Sequence, residues 1–294
     1  MTDALHPQPS RVNPILLQGF AWDLAADSSH WRLLADNAAL LADAGFTAVW
    51  LPPAYKGQAG VDDVGYGVYD TYDLGEFDQK DTVPTKYGTK DEYLAAVAAL
   101  KAAGIDVMAD VVLNHRMGAD ASEDVLALEV DPANRYRPLG EPAEVTVWTR
   151  FTFPGRAGAH SDFTWDWHCF NGIDWDERSG RSGIWLFEGK EWSEGVAHEL
   201  GNYDYLMGAD VHVMDPTVSA ELDAWGRWYV ETTGVDGFRL DAVKHIGAQF
   251  FRRWLRDLRR TTGRALPAVG EYWSEDLAEL RGYLGDEPVM SLLT

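Results

Sequence analysis

Apolar segments and amphipathic segments alternate along the first part of the chain. The apolar runs at residues 15–20, 46–51 and 105–113 have the lengths of buried strands. Residues 31–44 and 90–103 carry apolar side chains at helical spacing, and each segment is followed by a glycine, Gly45 or Gly104. We therefore predict the order strand, helix, strand, helix, strand, which is typical of a parallel sheet covered by helices.

From residue 114 to about 215 this alternation stops and the chain becomes rich in glycine, tryptophan and aspartate. Such a stretch is too long for an ordinary loop, so we expect an inserted subdomain rich in β-structure. Residues 144–153 and 184–187 are predicted to be short antiparallel strands, and residues 162–176 an ordered aromatic loop.

The strand and helix pattern returns after residue 215. We predict helices at 219–232, 248–261 and 276–284, and strands at 235–240 and 268–272, with a sixth strand beginning at 289–293. The predicted fold is an α/β, TIM-type (β/α)8 barrel that is incomplete in this chain, with about six strands. Its parts are residues 1–113 and 216–294 of the barrel, and residues 114–215 as the domain inserted after the third strand.

The charge of the chain limits its partners. It has 47 Asp and Glu against 25 Lys and Arg, for a formal net charge of -22. This charge repels phosphate backbones and anionic lipids, so neither nucleic acid nor a membrane is an expected partner. The chain also contains 13 Trp, which suit the planar faces of sugars, although ordinary core packing explains part of that number.

Cysteine usage and the amino-terminal sequence say little about the compartment. Cys169 is the one cysteine, so no disulfide can form within the chain. The first residues have no basic segment followed by an apolar one. If Met1 is the natural start we expect a cytoplasmic protein, and the alternative is a secreted form whose signal was removed.

Two acids follow two consecutive predicted strands. Asp241 lies in the segment GFRLDAVKH at residues 237–245, and Glu271 lies in GEYW at residues 270–273. The carboxyl ends of barrel strands face one site, and a facing pair of carboxyl groups is what glycoside hydrolysis requires. Either acid alone could instead cap the helix that follows its strand. Arg239, two residues before Asp241, favours the paired interpretation.

Five segments together resemble the α-amylase family, glycoside hydrolase family 13, and within it the bacterial liquefying type. DVVLNH at residues 110–115, GFRLDAVKH and GEYW resemble the motifs at the ends of the family's third, fourth and fifth strands. GNYDYLMGAD at residues 201–210 is similar to the end of its inserted domain B, and VGYGVYDTYDLGEF at residues 64–77 to a long loop of the liquefying type.

The resemblance implies roles for individual residues. Asp241 would be the nucleophile and Glu271 the general acid, with Arg239 beside them. We expect Asp241 to stay ionised next to Arg239, and Glu271, less well paired, to keep its proton near neutrality. The residues expected to bind the glucan are Tyr66 beneath the cleaved sugar, His115, Lys244 and His245 on the leaving-group side, and Trp22.

The resemblance also implies a calcium ion between the barrel and the inserted domain. Its ligands would be Asn114, Asp204, Asp210 and the backbone carbonyl of His245, which are oxygen donors of the kind that Ca²⁺ prefers. The alternative is that the two aspartates are simply solvated. A further metal cluster of liquefying enzymes should be absent or weakened, because Ser193, His212 and Met214 replace the carboxylates that would form it.

The family's third acid has no counterpart, since no Asn-His-Asp motif follows Glu271. We therefore expect either a fragment of a longer enzyme, or a short form that is completed by oligomerisation or has only a binding role. The expected function is retaining hydrolysis of internal α-1,4 bonds in starch, glycogen or maltooligosaccharides. The alternatives are an inactive fragment that binds α-glucan or calcium, and a transglycosylase or oligo-1,6-glucosidase, which the ending Val243-Lys244-His245 disfavours.

Overall fold

The computed structural model describes residues 14–293. Its first part confirms the three predicted strands and the helix after residue 90, but the segment 31–44, predicted as one helix, forms two. Asn37 separates them, with a φ of -102° and a side-chain amide that donates to the Leu33 carbonyl at 2.8 Å. The elements are β1 (Leu16–Gln18), α1 (His30–Asp36), α2 (Ala38–Asp43), β2 (Ala48–Leu51), β3 (Lys56–Gly57), β4 (Val68–Asp70), α3 (Lys90–Ala102) and β5 (Asp106–Val111).

The middle part is richer in strands than the sequence predicted. The 11-residue strand β7 and its neighbour β8 were missed, and β10 lies where an aromatic loop was expected. The strands are β6 (His115–Arg116), β7 (Ala121–Asp131), β8 (Asn134–Pro138), β9 (Ala143–Arg150), β10 (Phe170–Asp176), β11 (Arg181–Phe187) and β12 (Ala209–Val211).

The strand β7 was not predicted because it contains several acidic residues, and Asp and Glu are rare in strands. Here their carboxylates are satisfied by residues of neighbouring strands. Asp124 accepts a hydrogen bond from the Thr146 hydroxyl at 2.6 Å, and Glu129 forms an ion pair with Arg181 at 2.6 Å. Cross-strand contacts of this kind stabilise a sheet even where the residue types disfavour one.

The last part confirms the predicted helices and strands with small shifts of their ends. The first helix begins before residue 219, because Asp215 accepts hydrogen bonds from the amides of Thr217 and Val218 and Pro216 suits the first turn. The elements are α4 (Pro216–Thr233), β13 (Gly237–Leu240), α5 (Ala248–Thr262), β14 (Ala268–Glu271), α6 (Leu277–Leu284) and β15 (Ser291–Leu293).

The main sheet is a curled parallel sheet of six strands in the order β1-β2-β5-β13-β14-β15, which confirms the predicted incomplete barrel. Arg239 of β13 pairs in register with Asp110 of β5, and Leu240 pairs with Gly270 of β14. The residues that follow, Asp241 and Glu271, therefore lie side by side at the carboxyl end of the sheet. This end carries the candidate site.

A second sheet of seven strands is formed entirely by β6 to β12. It falls within the predicted insertion, although the exact domain boundaries stay a prediction. At the amino-terminal end of the main sheet, a groove of about 570 Å³ is lined by residues that include Leu16, Met108 and Val269. Among residues 14–293, no helix has both the length and the apolar character needed to cross a membrane.

Candidate active site

Arg239 is the centre of the site. Its Nη1 atom lies 2.8 Å from Asp110 Oδ1 and 2.7 Å from Asp241 Oδ1, and its Nη2 atom lies 2.8 Å from Glu271 Oε2. These residues come from three neighbouring strands or the ends of those strands. One guanidinium therefore faces three carboxyl groups in a nearly closed environment.

Asp110 is the residue that sequence reasoning missed as part of this site. Its side chain is fully buried, and its Oδ2 atom accepts hydrogen bonds from Trp50 Nε1 at 2.9 Å and from the Tyr66 hydroxyl at 2.8 Å. An acid inside an otherwise apolar strand was the available signal, because a buried carboxylate requires partners.

The expected ionisation of Asp241 was wrong in direction. Burial raises the pKa of Asp241 to about 7, and the negative charges of Asp110 and Glu271 act in the same direction. Arg239 opposes this increase but is shared with the other acids. Burial likewise raises the pKa of Asp110. A single cation does not compensate for the desolvation of two buried carboxylates.

Glu271 is also better paired than the sequence suggested. Besides its contact with Arg239, its Oε1 atom accepts a hydrogen bond from Trp273 Nε1 at 2.9 Å and its Oε2 atom accepts one from the backbone amide of Ala242 at 3.3 Å. Ala242 has a φ of 51°, an uncommon conformation for a residue other than glycine. This turn directs its amide towards Glu271.

Three of the predicted glucan-binding residues are brought together beside Asp110. The Tyr66 ring stacks on the Trp22 ring with centroids 5.6 Å apart and planes at 13°. His115 donates from Nε2 to the Tyr66 carbonyl oxygen at 2.8 Å, and burial lowers its pKa. Trp22 is 61% exposed, so its ring is accessible to a sugar.

Lys244 and His245 follow Asp241 along the chain, and each side chain binds a backbone carbonyl. Lys244 Nζ donates to Glu199 Oε1 at 2.8 Å and to the carbonyl oxygen of Trp273 at 3.0 Å, which places it close to Glu271. His245 donates from Nδ1 to the Tyr203 carbonyl at 2.6 Å, and burial lowers its pKa to about 4. His245 is therefore neutral at physiological pH.

The four predicted calcium ligands converge between the two sheets. Asn114 Nδ2 lies 3.4 Å from the carbonyl oxygens of both Asp204 and His245. Asn171 Nδ2 donates to Asp204 Oδ2 at 3.1 Å and to Asp210 Oδ2 at 3.0 Å, so it joins the two carboxylates. All of these side chains are buried.

The donors of this cluster fit a hard cation. Burial raises the pKa of Asp204 to about 6, and burial together with the charge of Asp204 raises the pKa of Asp210 well above its usual value. Asp210 Oδ1 and Asn171 Oδ1 are buried without a hydrogen-bond partner. Two carboxylates, unpaired oxygens and a backbone carbonyl are the donors that Ca²⁺ prefers.

Of the three residues expected to weaken a further metal cluster, Ser193 contacts one of these carboxylates. The Ser193 backbone amide donates to Asp204 Oδ2 at 2.7 Å, and His212 Nδ1 lies 3.1 Å from Lys190 Nζ. Met214 is about half exposed. Within residues 14–293, no group of three or more His, Cys, Asp and Glu side chains is arranged to hold a metal. The absence or weakness of a further cluster stays a prediction.

The chain belongs to the alpha-amylase catalytic-domain family. The family description "Alpha amylase, catalytic domain" matches residues 30–287. The chain is 50% identical over 275 residues to an alpha-amylase of Bacillus licheniformis, covering 94% of this chain and 54% of the relative. It is 46% identical over 276 residues to the cytoplasmic alpha-amylase of Escherichia coli, covering 92% of this chain and 56% of the relative.

Solved structures show the same fold. The match to an Anoxybacillus alpha-amylase has a TM-score of 0.56 at 17% sequence identity, and it covers 95% of this chain and 49% of the Anoxybacillus chain. The match to an alpha-amylase of Geobacillus thermoleovorans, complexed with acarbose, has a TM-score of 0.53 at 20% sequence identity. It covers 86% of this chain and 42% of the Geobacillus chain. The chain thus spans about half the length of the relatives that it matches.

Proposed function

We propose that this chain carries the catalytic centre of a retaining glycoside hydrolase that cleaves internal α-1,4-glucosidic bonds of starch, glycogen or maltooligosaccharides. One observation carries the proposal: Arg239 holds Asp241 and Glu271 on its two terminal nitrogens at 2.7 Å and 2.8 Å. A retaining mechanism requires the two carboxyl groups roughly 5–5.5 Å apart, and shared binding to one small planar group supports such a separation.

In the proposed reaction the ionised carboxylate of Asp241 attacks the anomeric carbon and Glu271 gives its proton to the departing glycosidic oxygen. The bond between carbon and leaving oxygen breaks as the bond to Asp241 forms, and a covalent glycosyl intermediate results. Water then attacks the same carbon, Glu271 takes back a proton, and Asp241 is released. Two inversions return the original α-configuration.

The residues around this pair are proposed to bind the glucan. The Tyr66 ring provides an apolar surface under the sugar, and Trp22, stacked on it and exposed, extends that surface. His115 would contact sugar hydroxyls, and Lys244 and His245 would contact the sugar that departs. The contact between Lys244 and the Trp273 carbonyl supports the placement of Lys244 near Glu271.

We also propose that Asn114, Asp204, Asp210 and the His245 carbonyl hold Ca²⁺. The buried oxygens without partners support this assignment. When bound, the ion supplies positive charge that keeps Asp204 and Asp210 ionised and joins the two sheets. The cellular location of the protein stays a prediction.

A binding-only role of these 294 residues on their own is the second candidate, and the open main sheet of residues 14–293 favours it. Within residues 14–293, its outer strands β1 and β15 each have one neighbour. An open barrel would hold Asp241 and Glu271 less rigidly than a closed one.

Two measurements on the same sample of the chain distinguish the two candidates. Tryptophan fluorescence during a titration with maltoheptaose measures binding, and a reducing-sugar assay measures the turnover of starch. Hydrolysis in which NMR shows that the first product has the α-configuration supports the first proposal. Binding without turnover supports the second proposal. If the chain shows no binding and no turnover, both proposals are contradicted.

A further inference from the structure

The loop that carries Tyr66 is built around the carboxylate of Asp63. The Oδ1 atom of Asp63 accepts hydrogen bonds from the backbone amides of Gly65 at 2.8 Å and Gly67 at 3.2 Å. Its Oδ2 atom accepts one from the amide of Ala59 at 3.2 Å. A carboxylate that accepts from several backbone amides forms stronger hydrogen bonds than a neutral acceptor does.

The glycines of this loop allow the carboxylate to approach the backbone closely. A Cβ atom at Gly57 would lie 2.1 Å from Asp63 Cγ, and one at Gly67 would lie 2.5 Å from Asp63 Oδ2. Gly65 also has a φ of +99°, which other residues rarely adopt. The buried side chain of Asp63 is therefore enclosed by backbone on both sides of Tyr66.

The flanking amides are two of four points at which Tyr66 is held. Its hydroxyl donates to Asp110 at 2.8 Å, and its carbonyl oxygen accepts from His115 at 2.8 Å. Asp63 binds the backbone amides of the two residues that flank Tyr66, Gly65 and Gly67. Asp110 fixes the far end of the ring, so the ring plane has little freedom to tilt.

We propose that Asp63 is a positioning residue that sets the Tyr66 ring at the height and tilt needed to stack on the sugar. The proposal deepens the proposed function and rests on it for the identity of the ligand. Asp63 does not touch the sugar. Its contribution is preorganisation, which lowers the cost of fixing the loop when a ligand binds.

The test is a double-mutant cycle in which calorimetry measures maltoheptaose affinity. Asp63→Ala should weaken binding about tenfold, equivalent to about 1.4 kcal/mol. Asp63→Asn should weaken it by less than about threefold, because one oxygen still accepts from Gly65 and Gly67. The double variant Asp63→Ala/Tyr66→Ala should bind as weakly as Tyr66→Ala alone. Independent, additive losses would overturn the proposal.

Asp215→Ala is the matched control. Asp215 also accepts from two backbone amides, those of Thr217 and Val218, but at the start of α4. Its loss should lower stability without changing maltoheptaose affinity. If Asp63→Ala changes affinity no more than Asp215→Ala does, Asp63 has only a structural role.

A measurement without ligand separates failure of this proposal from failure of the proposed function. With 3-fluorotyrosine at position 66, the fluorine resonance should shift or broaden in Asp63→Ala and stay unchanged in Asp215→Ala. If the unsubstituted chain does not bind maltoheptaose, the proposed function fails and this resonance alone decides the role of Asp63. An unchanged resonance in Asp63→Ala would overturn that role.

Discussion

Asp110 and Arg239 form an ion pair with 2.8 Å between Oδ1 and Nη1, and both side chains are almost completely removed from solvent. The pair fixes the guanidinium between Asp241 and Glu271. Because the pair is buried, removal of one side chain would leave the charge of the other without access to solvent. The geometry of the two proposed catalytic acids therefore depends on Asp110, which holds the guanidinium that binds them both.

Replacing Asp110 by alanine should destabilise the protein by about 3 kcal/mol, because breaking a buried pair leaves polar groups without partners. Trp50 Nε1 and the Tyr66 hydroxyl would also lose their acceptor. Urea unfolding measures the change in free energy. The control is Glu287→Gln, which removes an exposed pair with Arg256 and should cost less than about 0.5 kcal/mol. Equal losses for both variants would contradict the role of Asp110.

The pH dependence of stability should reveal Asp241. Burial raises its pKa to about 7 in the folded protein, compared with about 3.9 in an unfolded chain. The folded state therefore holds this proton more tightly. The stability that Asp241 contributes is complete near pH 4 and is lost as the pH rises towards 7.

Asparagine at position 241 cannot ionise and should remove this dependence. The free energy of unfolding of Asp241→Asn relative to the original protein should increase from pH 4.5 to pH 7, by at most about 1.4 kcal/mol per pH unit. Urea unfolding at several pH values provides the measurement. A difference that stays constant across this range would show that Asp241 ionises equally easily in both states.

Starch hydrolysis by any polypeptide that contains this chain should depend on Glu271. Glu271→Gln keeps the shape of the side chain but cannot give a proton to the leaving oxygen, so turnover should fall by roughly a hundred- to ten-thousandfold. Affinity for maltoheptaose should stay within about threefold, since the proton is needed in the transition state. Steady-state kinetics and calorimetry measure the two effects. Full turnover in the variant would exclude Glu271 as the acid.

Calcium should stabilise the protein through Asp204 and Asp210. A ligand present at 100 times its dissociation constant stabilises the folded state by about 2.7 kcal/mol, so chelation should lower the melting temperature and added calcium should restore it. Asp204→Asn and Asp210→Asn should lose this response. Asp215→Asn should keep it. A melting temperature that ignores both chelator and calcium would refute the site.

The sequence was informative wherever a function or an element leaves a local pattern. Asp241 and Glu271 follow apolar runs, so their positions at strand ends could be predicted, and the order of strands and helices fixed the barrel class. The strand β7 could not be predicted in the same way. Its acids are compatible with a strand only because Thr146 and Arg181 of other strands bind them.

The direction in which the pKa of Asp241 shifts could not be predicted from the sequence for a related reason. Arg239, two positions away, suggested a pair of opposite charges. The fold brings Asp110 and Glu271 to the same guanidinium from neighbouring strands, and it buries the group. The direction of a pKa shift depends on how many charges converge and how dry the site is, and neither quantity is local in the chain.

His115 of β6 and Asp210 of β12 lie opposite each other in the register of two antiparallel strands. One is proposed to contact the sugar and the other the ion, and they are neighbours across a single ladder. A displacement of β12 on ion binding would reach His115 directly. Linkage is reciprocal, so any free energy by which the ion improves glucan affinity returns as an equal gain in ion affinity when glucan is present. The occupancy of the ion site would then rise and fall with the supply of polysaccharide.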